Sequence, residues 1–218
     1  MRRSTQPQGL RQKAKQSRNP EITKAKILDA AIEEFAKYGL VGTRTEAIAN
    51  RSGVAKALVC YYFDNKEKLY QAVLQQLVNG LNAAFQQINV QELSPEKALE
   101  AFIRQYIAYE VQNPYHGMIW FQEALQNQGE FGRQTGWQEG FKALTQLLEQ
   151  GVITGVFRQI DPFLTTINII GVCSFYFDAH QNLKHVDSER KLLSAEMVEK
   201  QMQEVVNLIL AGVRIAPE

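Results

Sequence analysis

The chain has 218 residues, 45% hydrophobic and 22% charged, with a formal net charge of +1; it is long enough for one or two domains with real cores, and its composition is ordinary for a globular protein. Cys60 and Cys173 lie far apart and form no metal or redox spacing, which fits reduced thiols. The N-terminal stretch is basic without an apolar h-region, and the uncharged apolar run 162–177 is broken by polar residues and too short for a bilayer; a cytoplasmic protein is expected, with no secretory signal and no membrane span.

Residues 1–18 hold Arg2, Arg3, Arg11, Lys13, Lys15 and Arg18 and no acid. They read as a disordered basic arm, laid along a DNA backbone or minor groove or simply solvated. Asn19-Pro20-Glu21 is a helix start: an N-cap, proline at the first position and an acid in the first turn. That helix carries Ile27, Leu28, Ala31 and Phe35 on one face, turns Glu33, Glu34 and its lysines outward, and ends at Gly39. Thr43, with Glu46 three residues on, reads as a capping box opening a short helix that stops at Gly53. Gly53, Val54 and Ala55 join it to a second short helix from Lys56, rich in tyrosine. Two helices so short and so tightly joined predict a helix-turn-helix, whose second helix enters a DNA major groove.

Asn65-Lys66-Glu67 opens a connecting helix with Leu69, Val73, Leu77, Leu81 and Phe85 at spacings of four. Ser94-Pro95-Glu96 starts the next, with Leu99, Phe102, Ile103, Tyr106 and Ile107. Pro114 opens a short aromatic helix, and 126–136 reads as loop. Further helices run from Trp137 to about Gly155, from Pro162 through Phe177, and from Ser194 to about Ala211. No segment alternates with period two, so the fold class is all-α. Charge is divided along this layout. Residues 1–68 hold fourteen Lys/Arg against seven Asp/Glu, and 69–218 hold ten against sixteen. A basic head on an acidic body suits a phosphate-binding module joined to a different working module.

The run ILDAAIEEFAKYGLVGTRTEAIANRSGVAKALVCYYFDNKEKLY, residues 27–70, resembles the DNA-binding domain of the TetR family of bacterial transcriptional regulators. The resemblance is carried by Ile27, Leu28, Ala30, Ala31, Phe35, Gly39, Thr43, Ile48, Ala49, Gly53, Val54, Lys56, Tyr62, Phe63, Lys66, Glu67 and Leu69, in fixed register. The rest of the chain is similar in length and helical layout, and its C-terminal half resembles, more loosely, the subgroup containing the regulator of pyrimidine utilisation. The implied organisation is a disordered arm over 1–18, a three-helix DNA-binding domain over 19–66, and a larger helical ligand-binding and dimerisation domain over 67–218. By this resemblance Lys56 could donate to guanine O6 or N7, and Ala57 and Leu58 could offer apolar contact to a thymine methyl. Tyr61 and Tyr62 match positions that reach phosphates or base edges, and Lys66 one that meets a phosphate. Thr43 and Thr45 can offer backbone N–H and hydroxyl groups to the DNA backbone, with Arg44 a second contact. Ala55, Leu58 and Cys60 depart from the family pattern, so the operator sequence cannot be carried over.

For the body, the resemblance implies a pocket for an unidentified small-molecule effector, and pockets are apolar with a few convergent polar groups. Tyr106, Glu110, Trp120, Phe121, Glu123, Asn168 and Tyr176 are suitable material, as are Tyr109, His116, Trp137 and Phe175, against the plain alternative that aromatic stripes are core. Asp178, His180, His185 and Asp187 have metal-ligand chemistry but no known zinc spacing, so neither metal nor cofactor is expected. Cys173 and His180, seven apart, would sit about 10.5 Å apart along one helix, too far for a nucleophile–base pair, and no enzyme is expected. The uncharged run with Phe175, and the seam Val198, Met202, Val205, Ile209 and Gly212 of the last helix, suit a two-fold four-helix interface between copies. The expectation is a homodimeric repressor that binds a palindromic operator in double-stranded DNA and is released by a small molecule. The competing reading is a ligand- or partner-binding helical protein with a vestigial head.

Overall fold

The computed structural model describes residues 19–215; the basic arm expected over 1–18 lies outside them. In chain order the helices are α1 (Pro20–Gly42), α2 (Thr45–Ser52), α3 (Lys56–Phe63), α4 (Lys66–Phe85), α5 (Pro95–Gln112), α6 (His116–Asn127), α7 (Trp137–Ile153), α8 (Pro162–Asp178), α9 (His180–Leu183) and α10 (Ala195–Val213). The single-turn α9 and two 3₁₀ turns, Val90–Glu92 and Gly132–Gln134, fall where the sequence reads as loop. Among the described residues there is no strand, and no helix is long and apolar enough to cross a membrane. The chain divides into two compact units, one ending at Val73 and the other starting at Leu74, so the division falls inside α4.

In the first unit, Asn19 Oδ1 accepts the Glu21 N–H at 3.1 Å, and Pro20 fills a position whose N–H would have had no helical partner. The regular turns of α1 end at buried Gly39, whose φ of 65° a side chain would resist, and one more turn reaches Gly42. The capping box expected from Thr43 and Glu46 does not form. The break at Gly39 leaves carbonyls open, and buried Thr43 Oγ1 donates to Gly39 O at 2.7 Å and Glu34 O at 3.1 Å. Thr43 therefore closes α1 rather than opening α2, and the Glu46 carboxylate turns to Lys56 instead. Glu34, expected on the outer face, is only 5% exposed. Arg51 of α2 draws it in, with Nη2 at 2.8 Å from Glu34 Oε1 and Nη1 at 2.8 Å from Glu33 Oε2. Ile27, Ala31 and Phe35 of α1 form one core with Ile48, Ala49, Val59, Leu69, Tyr70 and Val73, and Phe35 meets Tyr70 edge-on at 4.9 Å.

In the second unit, Ser94, Asp161 and Ser194 cap α5, α8 and α10 through side-chain oxygens that accept backbone N–H groups. The core is formed by α5, α7, α8 and α10, with Leu99, Ile103, Ile107, Leu144, Leu148, Ile169 and Val206 at its centre. The turn after α7 drives Phe157 into this core, against a glycine (Gly151) where any Cβ would overlap the ring. The last-helix seam does not stand outward. Val205 and Ile209 are buried in the unit's own core, and Val198 and Met202 pack partly buried against it. The apolar stripe of a single helix is satisfied first by the neighbours of its own chain, here chiefly α5 and α8. On α8 and α10 the large apolar side chains left facing outward are Phe163, Leu164, Ile167 and Phe175 of α8 and Leu208 of α10.

Candidate nucleic-acid interface and ligand cavity

Gly53 ends α2 in the left-handed conformation, φ 69°, and Ala55 begins α3 without a side-chain cap. Of the eight residues of α3 only Val59 is buried, at 2% exposure, pinning the helix by one side chain. Lys56, Ala57, Leu58, Cys60 and Tyr61 all face outward, Tyr61 with 78% of its surface exposed. Tyr62 is half-buried, edge-on to Tyr61 at 5.1 Å, with Lys24 Nζ 6.0 Å from its ring centre. A helix held this lightly and turned so far outward is built to meet something else.

Among the sequence-predicted contacts, Arg44 is exposed and Thr45 half-buried at the start of α2, with Thr45 Oγ1 donating to Glu46 Oε2 at 3.3 Å. Thr43 is not accessible, because its hydroxyl is buried and bonded within α1. Lys66 points its ammonium at Thr43 O, 3.0 Å away, and Val41 O, 3.3 Å away, where it caps the open carbonyls of the last turn of α1. Lys56 is paired with Glu46; their hydrogen bond holds the Glu46 carboxyl below, and the Lys56 ammonium above, its ordinary range.

The second unit holds a partly open cavity of about 720 Å³ between α4, α5, α6, α7 and α8. Its walls are aromatic: Phe85 stacks on Phe102 at 4.2 Å, and Trp120, Trp137 and Phe141 continue the lining at ring separations near 6 Å. His116 is the buried polar hinge of this wall. The Trp120 Nε1–H points at His116 Nε2, 3.1 Å away, which makes that nitrogen the acceptor and leaves Nδ1–H to donate to Glu110 Oε1 at 2.7 Å. Glu123, also buried, accepts the backbone N–H groups of Phe131 at 2.8 Å and Gly132 at 2.9 Å, and the Asn127 amide at 2.7 Å. Its charge ties down the loop that closes one side of the cavity.

Asp178 at the end of α8 also borders the cavity. Burial, and then the nearby Glu110 carboxylate, push its carboxyl up from 3.8 to about 6. Burial likewise lifts Tyr106 far above its ordinary range and Cys173 to about 12, with Glu110 adding to both, so Cys173 stays a protonated core thiol.

Of the predicted pocket residues, Tyr106, His116, Trp120, Phe121, Glu123 and Trp137 line the cavity. Glu110 stands one layer back behind His116, Asn168 is exposed on α8, and Tyr176 turns away to donate to Leu192 O at 2.6 Å. These three are therefore off the lining, because helical rotation carries them past the cavity face. Phe85, Asn82, Phe102, Phe141 and Asp178 line it without having been assigned to it. The spacing of Leu77, Leu81 and Phe85 already marked that face of α4; nothing in the sequence told its cavity end from core. His180 Nδ1–H donates locally to Phe177 O, 2.6 Å away, and Asp187 pairs with Arg190 at 2.8 Å. Among the described residues no three His, Cys, Asp or Glu side chains are grouped to hold a metal ion.

Comparison with known proteins agrees with this geometry. Residues 27–73 match the family model described as bacterial regulatory proteins, tetR family, and residues 95–209 match that of the tetracyclin repressor-like C-terminal domain. The HTH-type transcriptional regulator RutR of Escherichia coli is 39% identical over 90 residues, spanning 41% of this chain and 42% of RutR. The HTH-type transcriptional repressor NicS of Pseudomonas putida is 28% identical over 204 residues, covering 88% of this chain and 92% of NicS. A bacterial regulatory protein in the tetR family from Rhodococcus, of known crystal structure, superposes with a TM-score of 0.72 at 20% identity, covering 89% of this chain and 98% of that one, which shows a shared fold. With an outward-facing second helix in its head and both family models matched in register, the chain belongs to the TetR family of bacterial regulatory proteins.

Proposed function

We propose that the protein is a transcriptional repressor that binds a roughly palindromic DNA operator as a homodimer and leaves it when a small molecule fills the cavity. The observation that carries this reading is α3, which buries one side chain and presents Lys56, Ala57 and Leu58 outward at the N-terminal end of a tightly turned second helix, with Tyr61 outward one turn on. Lys56 and Tyr61 would read or clamp the major groove, Ala57 and Leu58 would pack on thymine methyls, and Arg44, Thr45 and Tyr62 would position the backbone. Lys66 would act indirectly by holding the end of α1, and Thr43 by closing it. Such a protein works in the cytoplasm, where bacterial DNA lies.

Two copies would pair through Phe163, Leu164, Ile167 and Phe175 of α8 with Leu208 of α10, an outward apolar strip that water disfavours. The cavity's effect on DNA would pass through α4, which supplies Val78, Leu81, Asn82 and Phe85 to the lining and Leu69, Tyr70 and Val73 to the head core. A ligand can shift that helix only by binding one of its positions more tightly than the other.

Selection of bound fragments from a genomic library, with affinity measured against salt, tests the reading. A palindromic site bound far more tightly than random DNA is the expected result. Weak binding, equal for all sequences and lost in modest salt, would mean that the head is only an electrostatic anchor.

A further inference from the structure

We propose that the cavity takes a flat aromatic molecule bearing a protonated amine, whose ammonium group meets Asp178 while its rings lie against the Trp120–Trp137–Phe141 wall. This deepens the effector reading above and rests on the same cavity. Three observations carry it.

The first is an unanswered acceptor. Asp178 Oδ2 is buried without a hydrogen-bond partner, although the residue borders the cavity. The adjacent position on α6 is Gly117, where any Cβ would overlap the Asp178 carboxylate, so a missing side chain makes room for this group in the wall. A buried acceptor left without a donor is costly, and a turn of the carboxyl that brings this oxygen round to the cavity lets a ligand N–H answer it.

The second is that the other charged groups of the wall, and its imidazole, are already engaged. His116 uses both ring nitrogens, on Glu110 and Trp120, and Glu123 holds the closing loop with Oε1 and the Asn127 amide with Oε2. Arg133, the cation of the lining, is exposed and paired with Glu130 at 2.6 Å. The charge facing a ligand at the Asp178 end is thus negative, reinforced by Glu110 one layer behind, and an anionic ligand would meet repulsion there.

The third is the lining itself. Seven aromatic rings (Phe85, Phe102, Tyr106, Trp120, Phe121, Trp137 and Phe141) border the cavity, and their electron-rich faces attract a cation as well as packing on a flat ring. The volume of about 720 Å³ is that of a site for a small organic molecule.

The test uses the full chain, with naphthalen-1-ylmethylamine and 1-naphthoate as probes of the same ring and opposite charge, titrated calorimetrically. The expected result is binding of the amine about tenfold or more tightly than of the carboxylate, with that advantage lost in Asp178→Asn. The control Asp187→Asn, at a half-buried acid outside the cavity lining, should leave it unchanged. Equal or tighter binding of 1-naphthoate, no binding of the amine, or an undiminished amine affinity in Asp178→Asn overturns the proposal. If Asp178→Asn does not fold, the two probes compared on the unaltered chain still decide it. The regulator reading fails separately: Asp178-dependent amine binding that leaves operator affinity unchanged keeps the ligand class and overturns the effector role. Operator release by the carboxylate alone does the reverse.

Discussion

At the scale of single residues, the two sites are governed by charges with unequal company. Lys56 is exposed but held by Glu46, so DNA must displace that carboxylate to use the ammonium group. Glu46→Gln should therefore raise affinity for DNA, and Lys56→Ala should lower operator affinity about tenfold while relaxing preference at one base pair, both read from binding curves on operator variants. Asp178 is the converse, a carboxylate with too few partners. Burial and Glu110 raise it to about 6, against the lowering influence of His116, Ser174 and His180. Because its folded value lies above the ordinary 3.8, the folded protein holds that proton more tightly than the unfolded chain. Its contribution to stability is present below about pH 4 and is lost as pH rises through about 6. Thermal melts of Asp178→Asn should lack this fall, so the variant should gain on the unaltered protein between those limits.

At the scale of elements, the head is a set of short helices held by a few long-range ties. Packing alone cannot fix α2 and α3, which bury two residues and one residue respectively. The tie between α1 and α2 is Arg51 on Glu33 and Glu34, and Glu34 is almost wholly buried. Arg51→Ala would leave the Glu34 carboxylate buried without its cation. The head should lose roughly 1–3 kcal/mol, a figure reduced from that of a fully buried pair because Arg51 is itself substantially exposed. Faster hydrogen exchange of α2 and α3 amides than in the unaltered chain, with little change in the second unit, is the expected signature. The helix starts at Asn19, Ser94, Asp161 and Ser194 were legible in the sequence because a cap is a local hydrogen bond. The Thr43–Glu46 box was misread for the opposite reason. The break at Gly39 offered Thr43 nearer acceptors, and Lys56, ten residues away from Glu46, offered that carboxylate a cation.

At the scale of the whole molecule, the apolar strip of α8 and Leu208 of α10 should set the oligomeric state. Phe175, 62% exposed in one copy, should be largely covered in a dimer. Phe175→Asp should give monomers by light scattering with the helix content kept, and should weaken operator binding more than binding of a half-site, since two heads on one palindrome gain from being linked. A dimer unaffected by Phe175→Asp and by Leu208→Asp would place the interface elsewhere.

By itself the sequence determined the all-α class, the helix order and the outward second helix of the head. Each of these rests on local chemistry: caps, glycine stops, and an apolar period that repeats within one turn or two. The tertiary structure alone decided which apolar faces meet. Val205 and Ile209 look like an interface seam in the sequence and are core in the fold, while Phe163, Leu164 and Ile167 remain outside. It also decided which aromatic residues border empty space, bringing Phe85, Trp120, Trp137 and Phe141 around one cavity and leaving Asp178 on its wall with Oδ2 lacking a donor. Apolar patterning records that a side chain leaves water; it carries no record of whether a helix, a second copy or a ligand takes the water's place.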